Sequence, residues 1–266
     1  MKDKIKNKFI DLNKKQNKIL LIFGLIVLFL TICSLLKNII LYEPYSIHKK
    51  IVDIDVVFGQ WTTFFYFTYQ TNFLLAFAIL SVALLPNSMK AKQFLFATVS
   101  LISITFLVYW TLIALFSNWT NVYSAITSIN VHFINPVLGF ISLFLLRRKI
   151  LITKKVIFIA SIYFFSYFIF QAILFSSTLG YWEYMNKKGE VIKFYDGVSI
   201  YRFSNFLRPF MYKGKNFVII IFFDLILFTL AVVTPLLTSL FWFKFYKIKI
   251  KKIPKKNKKI LLKKSF

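Results

Sequence analysis

The sequence predicts an all-α integral membrane protein, a polytopic bundle of six transmembrane helices with both termini in the cytoplasm. Two observations predict this fold class: the 266 residues are 58% hydrophobic, and several runs of 18 or more residues are nearly uncharged. A helix of that length covers a hydrocarbon core of about 30 Å at about 1.5 Å per residue. The positions of lysine and arginine then predict which end of each helix faces the cytoplasm.

The segments between the apolar runs divide the chain into three parts. Residues 1–18 form a basic N-terminal segment, residues 19–243 form the membrane domain, and residues 244–266 form a polybasic tail. The first span is too long for a signal peptide and lacks a small-x-small cleavage site, so we expect it to remain as an anchor. The six spans are predicted at residues 19–41, 62–85, 93–116, 129–146, 155–177 and 216–243.

Basic residues are distributed unevenly between the two sides of the predicted bundle. With a cytoplasmic N-terminus, the cytoplasmic segments contain 25 of the 35 lysine and arginine residues, and the outside segments contain 9. This excess of cytoplasmic lysine and arginine fits a multi-pass protein of the plasma membrane. The same topology explains most of the net charge of +26. Anionic lipid head groups are a second interpretation of the polybasic tail. No motif supports a nucleic-acid partner.

Two predicted outside loops are long enough to fold over the membrane surface. They comprise residues 42–61 and 178–215, and their tryptophan and tyrosine content suits the membrane–water interface. The second loop contains turn signals at Lys188-Gly189 and Asp196-Gly197. These signals predict a small hairpin or a lid.

Polar side chains occur within the spans at one depth, close to the predicted outside face. The stretch FFYFTYQTNFLL places Thr68, Thr71 and Asn72 on one face of the second span, since residues three and four apart are neighbours on a helix. His132 and Asn135 share a face of the fourth span for the same reason. The other members of this layer are Trp110 in the third span, Gln171 in the fifth and Asp224 in the sixth.

Two of these side chains can ionise: Asp224 is the only acidic residue in the predicted spans, and His132 is the only histidine. Such groups are costly in hydrocarbon and normally face the bundle interior, where they are paired or hydrated. Each polar residue of the layer could simply bond neighbouring helices together, as threonine and asparagine often do. Because five helices contribute polar groups at one depth, we favour a functional pocket open to the outer leaflet.

Three short motifs lie in order along the chain: FFYFTYQTNFLL, then NVHFINPVLGF two spans later, and LGYWEYM just after the fifth span. Together with the spacing of the spans, they resemble the androgen-induced membrane hydrolases and that family's six-span bacterial relatives. Met185 departs from the pattern, because members often have proline there. The animal members hydrolyse esters of hydroxylated fatty acids with a threonine nucleophile and a histidine partner. The resemblance therefore implies that Thr68 is the nucleophile and His132 its base.

The same residues suit nucleophilic catalysis on chemical grounds. A threonine hydroxyl is a weak nucleophile until a base removes its proton, and histidine suits that task near neutral pH. We predict a catalytic site of Thr68, His132 and Asp224, in which the aspartate fixes the imidazole tautomer. Asn72 or Asn135 would donate to the oxyanion. The predicted substrate-binding residues are Thr71, Asn72, Asn135, Gln171, Trp110 and Trp182.

Two functions of different classes remain open on the sequence. The first is an intramembrane lipid-ester hydrolase or acyl-transfer enzyme that acts on membrane lipid at the outer leaflet. The alternative is a non-catalytic six-span protein that binds or transports a solute or a lipid in the same kind of pocket. We expect no cofactor and no metal: His48 and His132 with few acids form no recognisable ligand set, and the seven glycines are too scattered for a phosphate-binding loop.

Overall fold

Six helices form the framework of the protein, and all six are long and apolar enough to cross a membrane, as the sequence predicts. They comprise Lys14–Ile40, Asp55–Leu84, Met89–Ile113, Val122–Leu146, Lys154–Ser177 and Phe217–Phe245, and we number them first to sixth. The structure is a computed structural model that describes residues 12–42, 52–116, 119–185 and 189–250. Most of the basic N-terminal segment and most of the polybasic tail lie outside the described residues.

Three of the six helices are irregular near the same end of the bundle. The second helix begins with one α-helical turn, continues as a 3₁₀ segment, Gly59–Phe65, and is regular only after Tyr66, which is extended. The third and fourth helices each contain a π-helical turn, which is a rare geometry that often occurs at functional sites. The π-helical turns are Tyr109–Ile113 and Asn130–Ile134, and the regular α-helical parts are Asp55–Phe58, Phe67–Leu84, Met89–Val108, Val122–Ile129 and Asn135–Leu146.

Short strands close that end of the bundle, which we call the hairpin end. Strands β3 (Gly180–Met185) and β4 (Val191–Asp196) pair in antiparallel register, so the loop after the fifth helix contains the predicted hairpin. Strands β1 (Val52–Asp53) and β5 (Val198–Ser199) pair in parallel. The pairing of β1 with β5 joins the segment before the second helix to the loop after the fifth helix.

The opposite end, which we call the basic end, is joined in a similar way. Strand β2 (Leu151–Ile152) follows the fourth helix and pairs in parallel with β6 (Lys249–Ile250), which follows the sixth helix. Ile150, Ile152 and Ile248 are almost completely buried around this pair and belong to the main apolar core. Burial of these side chains attaches the ends of the two helices to the bundle.

The helices differ greatly in how much of their surface the protein covers. We compare the most apolar 18-residue stretch of each helix. In this stretch, 61% of the third helix is buried and 11% of the sixth. The third helix is therefore central and the sixth peripheral. Phe222, Leu225 and Phe241 of the sixth helix are each more than half exposed. A helix that is apolar all round and exposed on one side suits contact with lipid.

Candidate functional site

Two cavities meet at the hairpin end. The first has a volume of about 160 Å³ and an apolar wall from the second, third, fifth and sixth helices, and we call it the apolar cavity. The second has a volume of about 280 Å³ and a polar wall that includes Lys37, and we call it the polar cavity. The side chains that line both cavities are those of Thr68, Tyr109, Ile113, His132 and Tyr201.

His132 lies in the π-helical turn of the fourth helix, and its ring is held on two sides. The ring stacks on Tyr109, with 3.7 Å between the ring centroids and 7° between the planes. The backbone carbonyl of Thr105 accepts a hydrogen bond from the imidazole. The other nitrogen, Nδ1, is buried and has no hydrogen-bond partner among the described residues. A neutral imidazole in this tautomer has its free lone pair on Nδ1.

Thr68 lies in the first turn of the regular part of the second helix and is 9% exposed. Its side chain and that of Tyr167 both interact with the buried hydroxyl of Tyr201. Burial raises the pKa of Tyr201 to about 12, although these hydrogen bonds lower it. The Tyr201 hydroxyl therefore keeps its proton at neutral pH and remains a hydrogen-bond donor beside Thr68.

The structure brings Thr68 and His132 to the same two cavities, but it does not join them by a hydrogen bond. The Nδ1 atom of His132 has no hydrogen-bond partner in the described ranges, so the Thr68 hydroxyl does not donate to it. Catalytic hydrogen bonds are often absent or long before substrate binds. Thr68 and His132 thus share a cavity wall, and a direct contact between them stays a prediction.

Asp224, the predicted third member, lies away from this pair. It lines neither the apolar nor the polar cavity. Its Oδ1 atom has no hydrogen-bond partner among the described residues. One nitrogen of the His132 ring bonds to the Thr105 carbonyl and Nδ1 has no partner in the described ranges, so Asp224 does not orient the imidazole. The sixth helix instead lines the apolar cavity from Leu227 onward, which begins almost one turn further along the helix.

The amide hydrogens of the predicted oxyanion donors, Asn72 and Asn135, all take part in hydrogen bonds within the protein. The Nδ2 atom of Asn72 donates to the carbonyl oxygens of Thr68 at 2.8 Å and Val131 at 3.0 Å. The Nδ2 atom of Asn135 donates to Asn72 Oδ1 at 2.8 Å and to Thr31 Oγ1 at 3.1 Å. Both asparagines are completely buried. No amide hydrogen of either side chain is left for an oxyanion, and the network joins the first, second and fourth helices.

Thr71 and Trp110 also have structural bonds. The hydroxyl of Thr71 is 3.0 Å from that of Thr105, which joins the second helix to the third. The indole of Trp110 donates to the carbonyl oxygen of His132 at 3.0 Å and so supports the π-helical turn. Neither Thr71 nor Trp110 lines either cavity.

The last two predicted binding residues contact the loop after the fifth helix. Gln171 lines the apolar cavity, and its Oε1 accepts a hydrogen bond from Ser204 at 2.9 Å. The indole of Trp182 donates to the carbonyl oxygen of Asp196 at 3.1 Å, inside the hairpin region, and Trp182 lines neither cavity. Of the predicted binding residues, Gln171 alone faces a cavity.

Residues 196–208 form a compact segment over the cavities, which we call the cap. Asp196 is completely buried and pairs with Arg208. The same carboxylate accepts hydrogen bonds from the Gly197 backbone and from Asn205, each at 2.9 Å. This network fixes the cap around a single buried charge, because a buried carboxylate needs partners of this kind.

The cap is attached to the fifth helix and delivers Tyr201 to the site. At Gly197 a Cβ atom would lie 2.5 Å from the Phe175 carbonyl oxygen, so only glycine permits this approach. Just after the cap, Phe210 lines the apolar cavity and has a φ of 52°. Left-handed backbone in a bulky residue is strained and often occurs at functional sites.

The tyrosines around the site are not among the site residues that the sequence predicts. Tyr109, Tyr167 and Tyr201 surround Thr68 and His132, and Thr105 provides the carbonyl that fixes the imidazole. Tyr109 lies just before Trp110 in the predicted layer, so its position gave a signal. The chain has 14 tyrosines and 34 phenylalanines, however, and nothing in the sequence distinguishes Tyr201 from the rest.

No protein-family model, curated protein or solved structure matches this chain. The resemblance to the androgen-induced membrane hydrolases therefore stays a prediction. Among the residues that the structure describes, no group of three or more histidine, cysteine, aspartate or glutamate side chains could bind a metal ion.

Proposed function

We propose that the protein is an intramembrane lipid-ester hydrolase or acyl-transfer enzyme, with Thr68 as nucleophile and His132 as base. One observation supports this most strongly: both side chains lie where the apolar cavity and the polar cavity share a wall. A lipid ester has the same two-part chemistry, with an apolar acyl chain on one side of the reacting carbonyl and a polar alcohol on the other. Lys37 in the polar cavity suits an alcohol part that is polar or negatively charged.

The proposed reaction uses the free nitrogen of His132. In the first step Nδ1 takes the proton of the Thr68 hydroxyl, and the Thr68 oxygen bonds to the ester carbonyl carbon. Cleavage of the bond to the alcohol oxygen leaves an acyl-threonine, and the imidazolium returns its proton to the departing alcohol. Water, or a second alcohol in the case of acyl transfer, then attacks the acyl-threonine with His132 again as base. The bond between the acyl carbon and the Thr68 oxygen breaks, the acid or new ester leaves, and the imidazolium returns its proton to the Thr68 oxygen.

Two groups support this chemistry without an aspartate. The Thr105 carbonyl accepts a hydrogen bond from the imidazole, so it fixes the tautomer in which Nδ1 is the base. The Tyr201 hydroxyl lies beside Thr68 and is protonated at neutral pH, so it suits a donor to the developing oxyanion. In this proposal Tyr201 takes the role predicted for Asn72 or Asn135, and Thr105 takes the role predicted for Asp224.

The proposal includes an orientation in the membrane. Both termini and the basic end face the cytoplasm, and the hairpin end faces outward from the plasma membrane, so the site opens at the outer leaflet. The uneven split of 25 basic residues against 9 supports this orientation. Cysteines introduced at positions 119 and 190 of a Cys33→Ser protein should react with an impermeant maleimide in intact cells. Reaction at position 90 without reaction at these two positions would reverse the orientation.

The activity is tested with a fluorophosphonate probe and a long-chain acyl ester on the purified protein in nanodiscs. Wild type should be labelled and should release the acyl chain, Thr68→Ala should do neither, and Thr68→Ser should retain part of both. Thr229→Ala is the matched control, because Thr229 is an exposed threonine whose hydroxyl donates to its own helix at Leu225. It should behave as wild type.

The outcomes separate the two functional classes. If Thr68→Ala is labelled and hydrolyses the ester as wild type does, the catalytic proposal is wrong. If neither protein is labelled, but both bind the ester with equal affinity, the non-catalytic lipid-binding alternative is left. His132→Gln should abolish turnover and keep ester binding, because it removes the base and keeps a polar side chain in the cavity wall.

A further inference from the structure

A second concave site lies at the basic end, far from the site already described. It has a volume of about 630 Å³ and lies between the ends of the fourth and sixth helices, and we call it the basic pocket. Its lining combines cationic and aromatic side chains. The lining residues are Phe144, Arg147, Arg148, Phe245, Tyr246, Lys247 and Lys249.

No acidic side chain of the described ranges lies near this pocket. The six described acids are confined to residues 52–55 and 183–196 and to Asp224. Asp224 itself precedes the end of the sixth helix, Phe245, by 21 residues, which is roughly 32 Å of helix. The basic pocket therefore contains Arg147, Arg148 and Lys247 with no carboxylate of the described ranges near them, and charge complementarity favours an anionic ligand.

The guanidinium of Arg147 is positioned in advance. Its carbon Cζ lies 3.5 Å from the centroid of the Phe144 ring. Its Nη1 atom donates to the Phe144 carbonyl oxygen at 2.8 Å. These contacts fix the plane of the guanidinium, while its remaining N–H groups can form the paired hydrogen bonds that suit a phosphate.

Lys247 has a backbone conformation that normally belongs to glycine. It follows the sixth helix with a φ of 51°. The Lys247 N–H donates to the Lys244 carbonyl, and the Ile248 N–H donates to the Phe243 carbonyl, which is the helix-ending pattern whose left-handed residue is usually glycine. A lysine in this position is strained, and strain of this kind is typical of residues retained for a binding role.

The remaining wall of the basic pocket is aromatic and partly exposed. Phe144 is 42% exposed and Phe245 62% exposed, and both lie at the ends of helices that are apolar enough to cross a membrane. Tyr246 is fixed between them, because its ring packs on Phe144 and its hydroxyl donates to the Phe140 carbonyl. A ligand in this pocket meets cations at one side and an apolar surface at the other.

We propose that the basic pocket binds the phosphate head group of an anionic phospholipid. The arginine and lysine side chains contact the phosphate, and Phe144 and Phe245 contact the start of the acyl chains. A lipid fits this arrangement better than a free phosphate does, because only a lipid also covers the exposed aromatic side chains. The bound lipid joins the ends of the fourth and sixth helices, and the sixth is the least buried helix.

The experiment measures lipid retention by mass spectrometry of the full-length protein titrated with phosphatidylglycerol or phosphatidylcholine. Wild type should bind phosphatidylglycerol more tightly. Arg147→Gln/Arg148→Gln should weaken this binding about 30-fold, since each basic residue near a membrane surface contributes about a factor of five. Lys154→Gln/Lys155→Gln is the matched control, because it removes two exposed lysines that do not line the pocket and should leave binding unchanged.

Lys247→Gly separates binding from folding. Glycine suits the left-handed conformation, so this variant should keep or raise the unfolding temperature while phosphatidylglycerol binding falls about fivefold. Three results would overturn the proposal: equal loss in the Lys154/Lys155 control, equal affinity for the two lipids, or displacement of the lipid by equimolar glycerol phosphate. The last result would identify the ligand as a free anion.

Discussion

The imidazole ring of His132 lies flat against the phenol ring of Tyr109, with the two ring centroids 3.7 Å apart. Each residue belongs to a π-helical turn, one in the third helix and one in the fourth. A π-helical turn displaces its side chains relative to a regular helix, and the two displaced rings meet at the shared cavity wall. The contact therefore determines where the Nδ1 atom of His132 lies.

The first prediction concerns this stack. Tyr109→Leu removes the ring that supports His132, and ester turnover should fall at least tenfold. Stacked aromatic pairs contribute about 0.5–1.5 kcal/mol, so the loss of stability should be small by comparison. Turnover per folded molecule and the unfolding temperature are measured together. Tyr109→Phe retains the ring and is the control; if it loses as much turnover as Tyr109→Leu, the stack is not the cause.

The second prediction concerns the hydroxyl beside Thr68. Tyr201→Phe removes the proposed oxyanion donor without changing the shape of the ring. The turnover number should fall on the order of 100-fold, which is typical for the loss of one such donor, while the Michaelis constant changes little. Steady-state kinetics with a soluble acyl ester would distinguish these effects. A rise in the Michaelis constant alone would mean that Tyr201 only binds substrate.

The third prediction concerns Asp224. Asp224→Asn should leave ester turnover within about twofold of wild type, because the carboxylate does not contact His132. His132→Gln at the same protein level should have no measurable turnover. Loss of activity in Asp224→Asn would show that the aspartate moves to the site when substrate binds, and would restore the three-residue arrangement that the sequence predicts.

The fourth prediction concerns the cap. Asp196→Ala removes the carboxylate that pairs with Arg208 and accepts a hydrogen bond from Asn205, which should cost about 1.5–3 kcal/mol, because the partly exposed guanidinium keeps some contact with water. The cap should become sensitive to limited proteolysis, and turnover should fall because Tyr201 is no longer positioned. The double variant Asp196→Ala/Arg208→Ala should recover part of the stability, since the guanidinium whose charge Asp196 balances is then absent as well. Absence of such recovery would contradict the role of the ion pair.

The fifth prediction concerns pH. Burial, together with the nearby charge of Asp55, raises the pKa of Asp53 from its ordinary 3.8 to about 6. The folded state thus binds this proton more tightly than the unfolded state, so stability falls as the pH rises from about 4 to 6 and stays lower above that range. Asp53→Asn should unfold at a higher temperature than wild type at pH 7.5.

The same comparison at lower pH provides the check on the sign. The difference between wild type and Asp53→Asn should shrink as the pH decreases toward 3, below the ordinary pKa of 3.8, where Asp53 is protonated in both states. Ile54 N–H donates to Asp53 Oδ1 at 2.8 Å, and the asparagine oxygen can accept the same bond. A difference that stays constant between pH 4 and 7.5 would show that ionisation of Asp53 is not responsible.

The helices could be predicted because they depend on local properties of the sequence. A run of apolar residues long enough to cross a membrane is recognisable from the sequence alone. Helical spacing likewise places Thr68, Thr71 and Asn72 on one face. The hairpin was predictable for the same reason, because turn residues are a local signal.

The partners of the polar residues could not be predicted, because they come from distant parts of the chain. From the sequence, Asn72 and Asn135 suit two roles equally well: donation to an oxyanion, or hydrogen bonding between helices. Only the acceptors of their amide hydrogens distinguish the two roles. Tyr201 reaches Thr68 only because the buried Asp196 organises the cap. The left-handed backbone at Lys247 has no sequence signal at all, since lysine disfavours it.

The contact between Tyr201 and Thr68 has a consequence for biosynthesis. The helices that contain Thr68 and His132 are made early, but Tyr201 follows 133 residues after Thr68. At about 5–20 residues per second, the ribosome needs on the order of 10 s to add that length. During most of its membrane insertion, a nascent chain therefore lacks one member of the proposed reactive centre. A polypeptide released after the fourth helix would contain the proposed nucleophile and the proposed base, but not the Tyr201 hydroxyl.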